Sequence, residues 1–215
     1  MSSYNQLQST QITSAIKRAN QRIAQLSKTY GSNSSVYKQE AGKFLKGAYK
    51  PFIGTSKSGN IKFDIRAINK LIRSQGNSSQ VQRMLAEITG IKFDSEGDIK
   101  EIKGAGVPTV SELNKRTEKK LERWGEDPGD YSKKELQNIT EQLAEFSENF
   151  QTAYNEYIAN FGESEARKDT TIQTLYGEFR NKRLSYRDLE QIKKRMEEAN
   201  AAARSEALEF EKENQ

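Results

Sequence analysis

Between Ile12 and Tyr30 the apolar residues fall at intervals of four, three, four, three and four: Ile12, Ile16, Ala19, Ile23, Leu26 and Tyr30. That spacing draws one narrow stripe along a helix, the seam of a coiled coil or a helical hairpin. A second stripe comes close to the same pattern: Leu136, Ile139, Leu143, Phe146, Phe150, Ala153, Tyr157 and Phe161. Such stripes have to suffice, because Leu, Ile, Val and Phe together make up only 42 of 215 residues. A chain this poor in large apolar side chains builds its core from long amphipathic helices, each needing a single apolar face. Only four residues are Val, too few for a large sheet. The expectation is a mainly α fold of helical hairpins or bundles with near-heptad seams and one small β-hairpin.

Punctuation along the chain divides it further. The first helix, from about Ser9, stops at Gly31, and Ser32 to Ser35 form a turn that caps a helix from Ser35 to Tyr49, ended by Pro51. Residues Gly54 to Asn60 read as a flexible loop. Asp64 caps a third helix with Ile65, Ile68, Leu71 and Ile72 apolar; Gly76 to Ser79 break the chain; a fourth helix with Val81, Met84, Leu85 and Ile88 stops at Gly90. The period then changes from helical to alternating. Ile91-Lys92-Phe93 and Ile99 to Ile102 flank Asp94-Ser95-Glu96-Gly97, a β-hairpin with a polar turn. Gly104 to Pro108 read as a hinge.

Two capping boxes, Thr109 with Glu112 and Ser132 with Glu135, open the helices that follow. Trp124 anchors a helix end before the loop Gly125 to Tyr131. Gly162 is a terminator, a helix is expected over residues 170–182, and Ser185 is the N-cap of a last helix carrying Leu189, Ile192, Met196, Ala199 and Ala203. No internal sequence repeat is evident beyond the recurring helical-hairpin style. The expected regions are 1–90, basic and helical; 91–108, hairpin and hinge; and 109–215, acidic and helical.

Charge separates along the same lines. Residues 1–90 hold 14 basic and 3 acidic side chains, net +11, whereas residues 91–215 hold 21 and 27, net −6. Lys43, Lys46, Lys50, Lys57, Lys62, Arg66, Lys70 and Arg73 stand against one acid, Asp64, with Phe44, Tyr49, Phe52 and Phe63 among them. Lys43, Lys46 and Lys50 are expected on one helix face, and Arg66, Lys70 and Arg73 on another. Such faces neutralise phosphates, which makes DNA the expected partner of this half; the bland alternative is a solvated face over core aromatics. Stacking of the aromatics on bases is a further reading.

The chain has no Cys and no His. Disulfides, thiolate zinc sites, His-based triads and imidazole ligation are thereby excluded. Glu206, Glu209, Glu211 and Glu213 lack the mixed oxygen ligands and rigid loop of a calcium site and read as a solvated helix end. No apolar run spans a membrane, and Met1 to Gln11 has no hydrophobic core of a signal peptide, so the expected location is host cytoplasm or virion. No convergent carboxylate, Lys or Tyr set suggests an enzyme. Ser95, at the expected hairpin tip between Asp94 and Glu96, is the remaining reactive group. Its flanking acids do not activate it, so any chemistry there needs a partner bringing metal ions. The alternative is an ordinary hairpin turn.

Residues 84–104, Met-Leu-Ala-Glu-Ile-Thr-Gly-Ile-Lys-Phe-Asp-Ser-Glu-Gly-Asp-Ile-Lys-Glu-Ile-Lys-Gly, resemble the priming-loop region of terminal proteins of small protein-primed phages of the φ29 type. The basic N-terminal and acidic C-terminal arrangement is similar as well. The resemblance implies that Ser95 accepts the first nucleotide from a phage DNA polymerase and stays linked to the 5′ end of the genome. It also implies that the N-terminal part meets DNA and the acidic part meets polymerase. Mg²⁺ would come from that polymerase, and the chain would have no cofactor of its own. In the family the priming serine lies near the C-terminus, whereas here 120 residues follow Ser95. The competing expectation is a non-catalytic structural or interaction protein, such as a virion component, scaffold or host-defence inhibitor, whose two seams pair between chains as a homo-oligomer.

Overall fold

A computed structural model of the chain describes residues 6–76, 78–104, 106–170, 173–174 and 189–214. They form mainly helices, with two small antiparallel two-stranded sheets. Among them no helix is long and apolar enough to cross a membrane. Two compact units result, Met1–Leu113 and Asn114–Gln215.

In the first unit, helix α1 (Gln6–Tyr30) is the element on which the others pack. Its stripe Ile12, Ile16, Ala19, Ile23 and Leu26 is buried, none of these residues more than 3 % exposed. The seam is therefore filled by this chain's own residues. Gly31, at φ +94°, ends α1, its N–H donating to Ser27 O at 2.8 Å. Helix α2 (Ser35–Gly42) is capped by the Ser34 hydroxyl, which accepts from Tyr37 N–H at 3.1 Å.

Here the expected helix over 35–49 is corrected. It ends at Gly42, and a 3-10 helix, Gly47–Phe52, follows after a turn. The reason is tertiary: Phe44 turns inward, 5 % exposed, edge-on to Tyr49 at 5.7 Å and to Phe63 at 5.0 Å. Pro51 does not terminate an α-helix but lies inside the 3-10 helix, whose φ suits its ring.

The supposed flexible loop after it is a hairpin. Strand β1 (Ile53–Thr55) pairs with β2 (Ile61–Phe63), Gly54 opposite Lys62. Asp64 then caps α3 (Ile65–Gln75), accepting from Arg66 N–H and Ala67 N–H at 2.9 and 3.1 Å. Helix α4 (Ser79–Thr89) stops at left-handed Gly90, φ +71°. The buried Thr89 hydroxyl donates to Leu85 O and accepts from Ile91 N–H, handing the chain into strand β3 (Ile91–Phe93). Strand β4 (Ile99–Ile102) pairs with β3, Ile91 opposite Ile102, with an irregularity between Lys92 and Phe93.

The segment expected to be a hinge is clamped. Gly106 N–H donates to Ile88 O at 3.0 Å. The Arg22 guanidinium donates to Val107 O at 3.1 Å and pairs with Glu112 at 3.2 Å, and Val107 is buried. Thr109 and Glu112 form their reciprocal cap at the start of α5 (Val110–Arg123).

The boundary between the units falls within α5. In the second unit Leu121 of α5 is buried with Leu136 and Ile139, and Trp124, Tyr131 and Leu143 pack around them. Ser132 and Glu135 complete a capping box that opens α6 (Lys133–Lys168). Gly162, at φ +83° and ψ 159°, is non-helical and separates two helical stretches within this span, as expected of a terminator. Helix α7 (Leu189–Glu213) packs on α6, Arg204 pairing with Glu156 at 2.7 Å. Phe146 and Phe150 of the second stripe are buried. The side chains of Ala153, Phe161, Leu189, Ile192 and Met196, the Ser185 cap and most of the helix expected over 170–182 lie outside the described residues.

Candidate functional site

The β3–β4 hairpin presents Ser95. Its turn is closed by Asp94, whose N–H donates to Asp98 O at 2.9 Å and whose C=O accepts from Gly97 N–H at 3.2 Å. The Asp94 carboxylate adds two bonds through one oxygen: Oδ1 accepts from Glu96 N–H and from Asp98 N–H, both at 2.9 Å. Gly97, at φ +88°, supplies the left-handed residue that brings the chain back into β4. Asp94, Ser95 and Glu96 are exposed, and the Ser95 hydroxyl makes no hydrogen bond to another described residue. Asp94 thus holds the backbone, and its turn leaves the Ser95 hydroxyl outward and unengaged.

The β1–β2 hairpin closes in the same way. Ser56 N–H donates to Asn60 O at 2.7 Å, Gly59 N–H to Ser56 O at 3.0 Å, and Asn60 N–H to Ser56 Oγ at 3.2 Å. Gly59 is left-handed, like Gly97. Lys57 occupies the place that Ser95 holds in the other turn. Both turns read Gly-Asn/Asp-Ile on their return side; Ile-Lys-Phe-Asp also recurs, at 61–64 after the first turn and at 91–94 before the second. Both Asp residues accept two backbone N–H bonds, Asp64 at the start of α3 and Asp94 in the turn.

All eight candidate DNA contacts, Lys43, Lys46, Lys50, Lys57, Lys62, Arg66, Lys70 and Arg73, are exposed. Arg66, Lys70 and Arg73 share one face of α3, opposite the buried Ile68 and Ile72. Lys43, Lys46 and Lys50 do not share a helix face. Lys43 sits at the C-terminal cap of α2, Lys46 precedes the 3-10 helix and Lys50 lies within it. Lys43 pairs with Glu40 at 2.6 Å. The aromatic reading is corrected in part: Phe44 and Phe63 are core residues, 5 % and 1 % exposed, and have no free face for a base. Tyr49 and Phe52 are half-buried.

Titration is perturbed elsewhere, in the second unit. The Ser132 N–H and hydroxyl hold the Glu135 carboxyl below its usual range. The Arg204 guanidinium does the same to Glu156. Burial, followed by the hydrogen bond from Tyr157 OH to Asp169 Oδ2 at 2.9 Å, pushes the Tyr157 phenol up to about 12. Among the described residues no group of three or more acids is arranged to hold a metal ion. No family model, curated protein or solved structure matches the chain.

Proposed function

We propose that the chain is a DNA-associated phage protein that primes viral DNA replication, offering the Ser95 hydroxyl to a DNA polymerase. The observation that carries this reading is the exposed, unengaged Ser95 hydroxyl at the tip of a turn closed by its neighbours. In the step proposed, Ser95 Oγ attacks the α-phosphorus of a deoxynucleoside triphosphate. The Oγ–P bond forms, the α–β anhydride bond breaks, pyrophosphate leaves with the electron pair, and the hydroxyl proton passes to solvent. The polymerase supplies the metal ions and the catalysis; the chain is its protein substrate and not an enzyme. The surplus of exposed cations before residue 90 supports DNA as the partner of the first unit, and the acidic second unit is the side offered to polymerase. This reading places the protein in the host cytoplasm and, linked to the genome, in the virion.

The competing structural-protein reading calls for seams that pair between copies. The residues of α1 that would form one, and Leu136, Ile139, Phe146 and Phe150 of α6, are buried within the single chain. The deciding experiment incubates the purified chain with the protein-primed polymerase of the same genome, Mg²⁺ and each α-labelled dNTP. The expected result is label that stays on the protein through denaturing electrophoresis and disappears with Ser95→Ala. Absence of label, or full labelling of Ser95→Ala, overturns the proposal.

A further inference from the structure

We infer that Asp94 is the positioning residue of the priming hydroxyl, acting through the backbone of the turn and not as a base on Ser95. The inference rests on the priming reading and adds to it a residue with a separable role.

One oxygen of the Asp94 carboxylate is already committed to the turn. Its Oδ1 accepts from Glu96 N–H and Asp98 N–H, so it bridges the residues on the far side of Ser95 and fixes the path of the tip. Together with the Asp98 O and Gly97 N–H bonds of its own backbone, it ties Asp94 to the three residues that follow Ser95. The other hairpin of this fold supplies an internal comparison. There Ser56 Oγ accepts one turn N–H, that of Asn60, and also shares a hydrogen bond with Ser58 Oγ at 2.9 Å. The Asp94 carboxylate accepts one backbone N–H more than Ser56 Oγ does, and the Ser95 hydroxyl is left out of the network. A nucleophile delivered into another protein's active site gains rate from such holding, because a hydroxyl displaced by about 1 Å can cost about 100-fold. The carboxylate also carries a negative charge toward an incoming triphosphate, an unfavourable contribution that a base is not needed to explain.

Two substitutions separate these roles. Asp94→Asn keeps the side-chain oxygen that accepts both N–H groups and removes the charge. Asp94→Ala removes both. In the labelling reaction, Asp94→Asn is expected to keep kcat within about twofold while lowering KM for the nucleotide. Asp94→Ala is expected to lower kcat about tenfold or more. Equal loss of kcat in both variants assigns Asp94 as a base and overturns the inference, as does an Ala variant with unchanged kcat.

A second readout does not depend on priming. Hydrogen exchange of the Glu96 and Asp98 amides is expected to quicken in Asp94→Ala and to stay slow in Asp94→Asn. Unchanged exchange in Asp94→Ala overturns the positioning role even if the chain primes. If the unaltered chain takes no label, the priming reading fails alone, and amide exchange still decides whether Asp94 holds the tip.

Discussion

Asn20 of α1 and Phe63 of β2 are joined by two hydrogen bonds. The Asn20 side-chain oxygen accepts from Phe63 N–H at 2.8 Å, and its NH₂ donates to Phe63 O at 3.1 Å. The side-chain amide thereby acts as a neighbouring strand would, pairing the outer edge of a two-stranded ribbon that is marginal by itself. Ser27 to Asn60 at 2.9 Å, and Ile61 N–H to Tyr37 OH at 3.0 Å, tie down the end of the turn and the first residue of β2. An unpaired buried polar group costs about 1–3 kcal/mol. Asn20→Ala is therefore expected to lower the unfolding free energy by about 2 kcal/mol in urea titration. A loss below about 0.5 kcal/mol would mean that the ribbon does not depend on α1.

Gly106 is expected to be the least replaceable glycine of the first unit. A Cβ built there collides with Glu87 O and falls 2.6 Å from Glu87 C, both backbone atoms of α4. Relief requires moving the chain that crosses the end of that helix. Gly106→Ala is expected to cost more than about 3 kcal/mol, at the upper end for overpacking. Gly42→Ala is the contrast: nothing lies within 4 Å and its φ is not positive. It is expected to be neutral or to stabilise by up to about 1 kcal/mol. Thermal unfolding of the two variants side by side tests the pair.

These residues also mark where the sequence is legible. The caps at Asp64, Thr109–Glu112 and Ser132–Glu135 and the stops at Gly31 and Gly90 follow from residues within one helical turn of each other, so their chemistry is visible in the sequence. The β3–β4 hairpin and the exposure of Ser95 are likewise local. The β1–β2 hairpin is not. Its strands are three residues long, one contains Gly54, and the partners that fix them, Asn20, Ser27 and Tyr37, lie 24 to 43 residues away in sequence. Helix α2 ends early for the same kind of reason, since Phe44 turns toward Phe63. At the candidate site, the tip serine can be read from the sequence, whereas the two bonds of Asp94 need the turn's folded path.

Binding of duplex DNA by the first unit is expected to depend on the α3 face. Arg66, Lys70 and Arg73 are exposed on one side of that helix, and no ion pair joins them to a described acid. Each lost phosphate contact lowers the slope of log K against log salt by about 0.9. Replacing all three by Ala is expected to reduce the slope by about 2.7. Lys43→Ala is expected to change it less, because Glu40 already compensates that ammonium at 2.6 Å. Fluorescence anisotropy at several salt concentrations measures both. Equal slopes for the triple variant and the unaltered chain would remove α3 from the interface.

The second unit is expected to weaken in alkali through Tyr157. Its phenol is raised from 10.0 to about 12, by burial first and then by the hydrogen bond to Asp169, so the folded unit favours the protonated form. In the unfolded chain the same group ionises near its ordinary value. The stabilisation is therefore complete below pH 10 and is lost as the pH rises from there through 12. Asp169 caps the end of α6 and Tyr157 lies before the break at Gly162, so the bond spans the interruption in that helix. Tyr157→Phe removes the titrating hydroxyl but keeps the ring. Its unfolding free energy is expected to fall less steeply between pH 10 and 12 than that of the unaltered chain, and phenolate absorbance should lose one late-titrating tyrosine. Parallel stability curves for the two proteins would show that the Tyr157–Asp169 bond does not hold the segment after Gly162 in place.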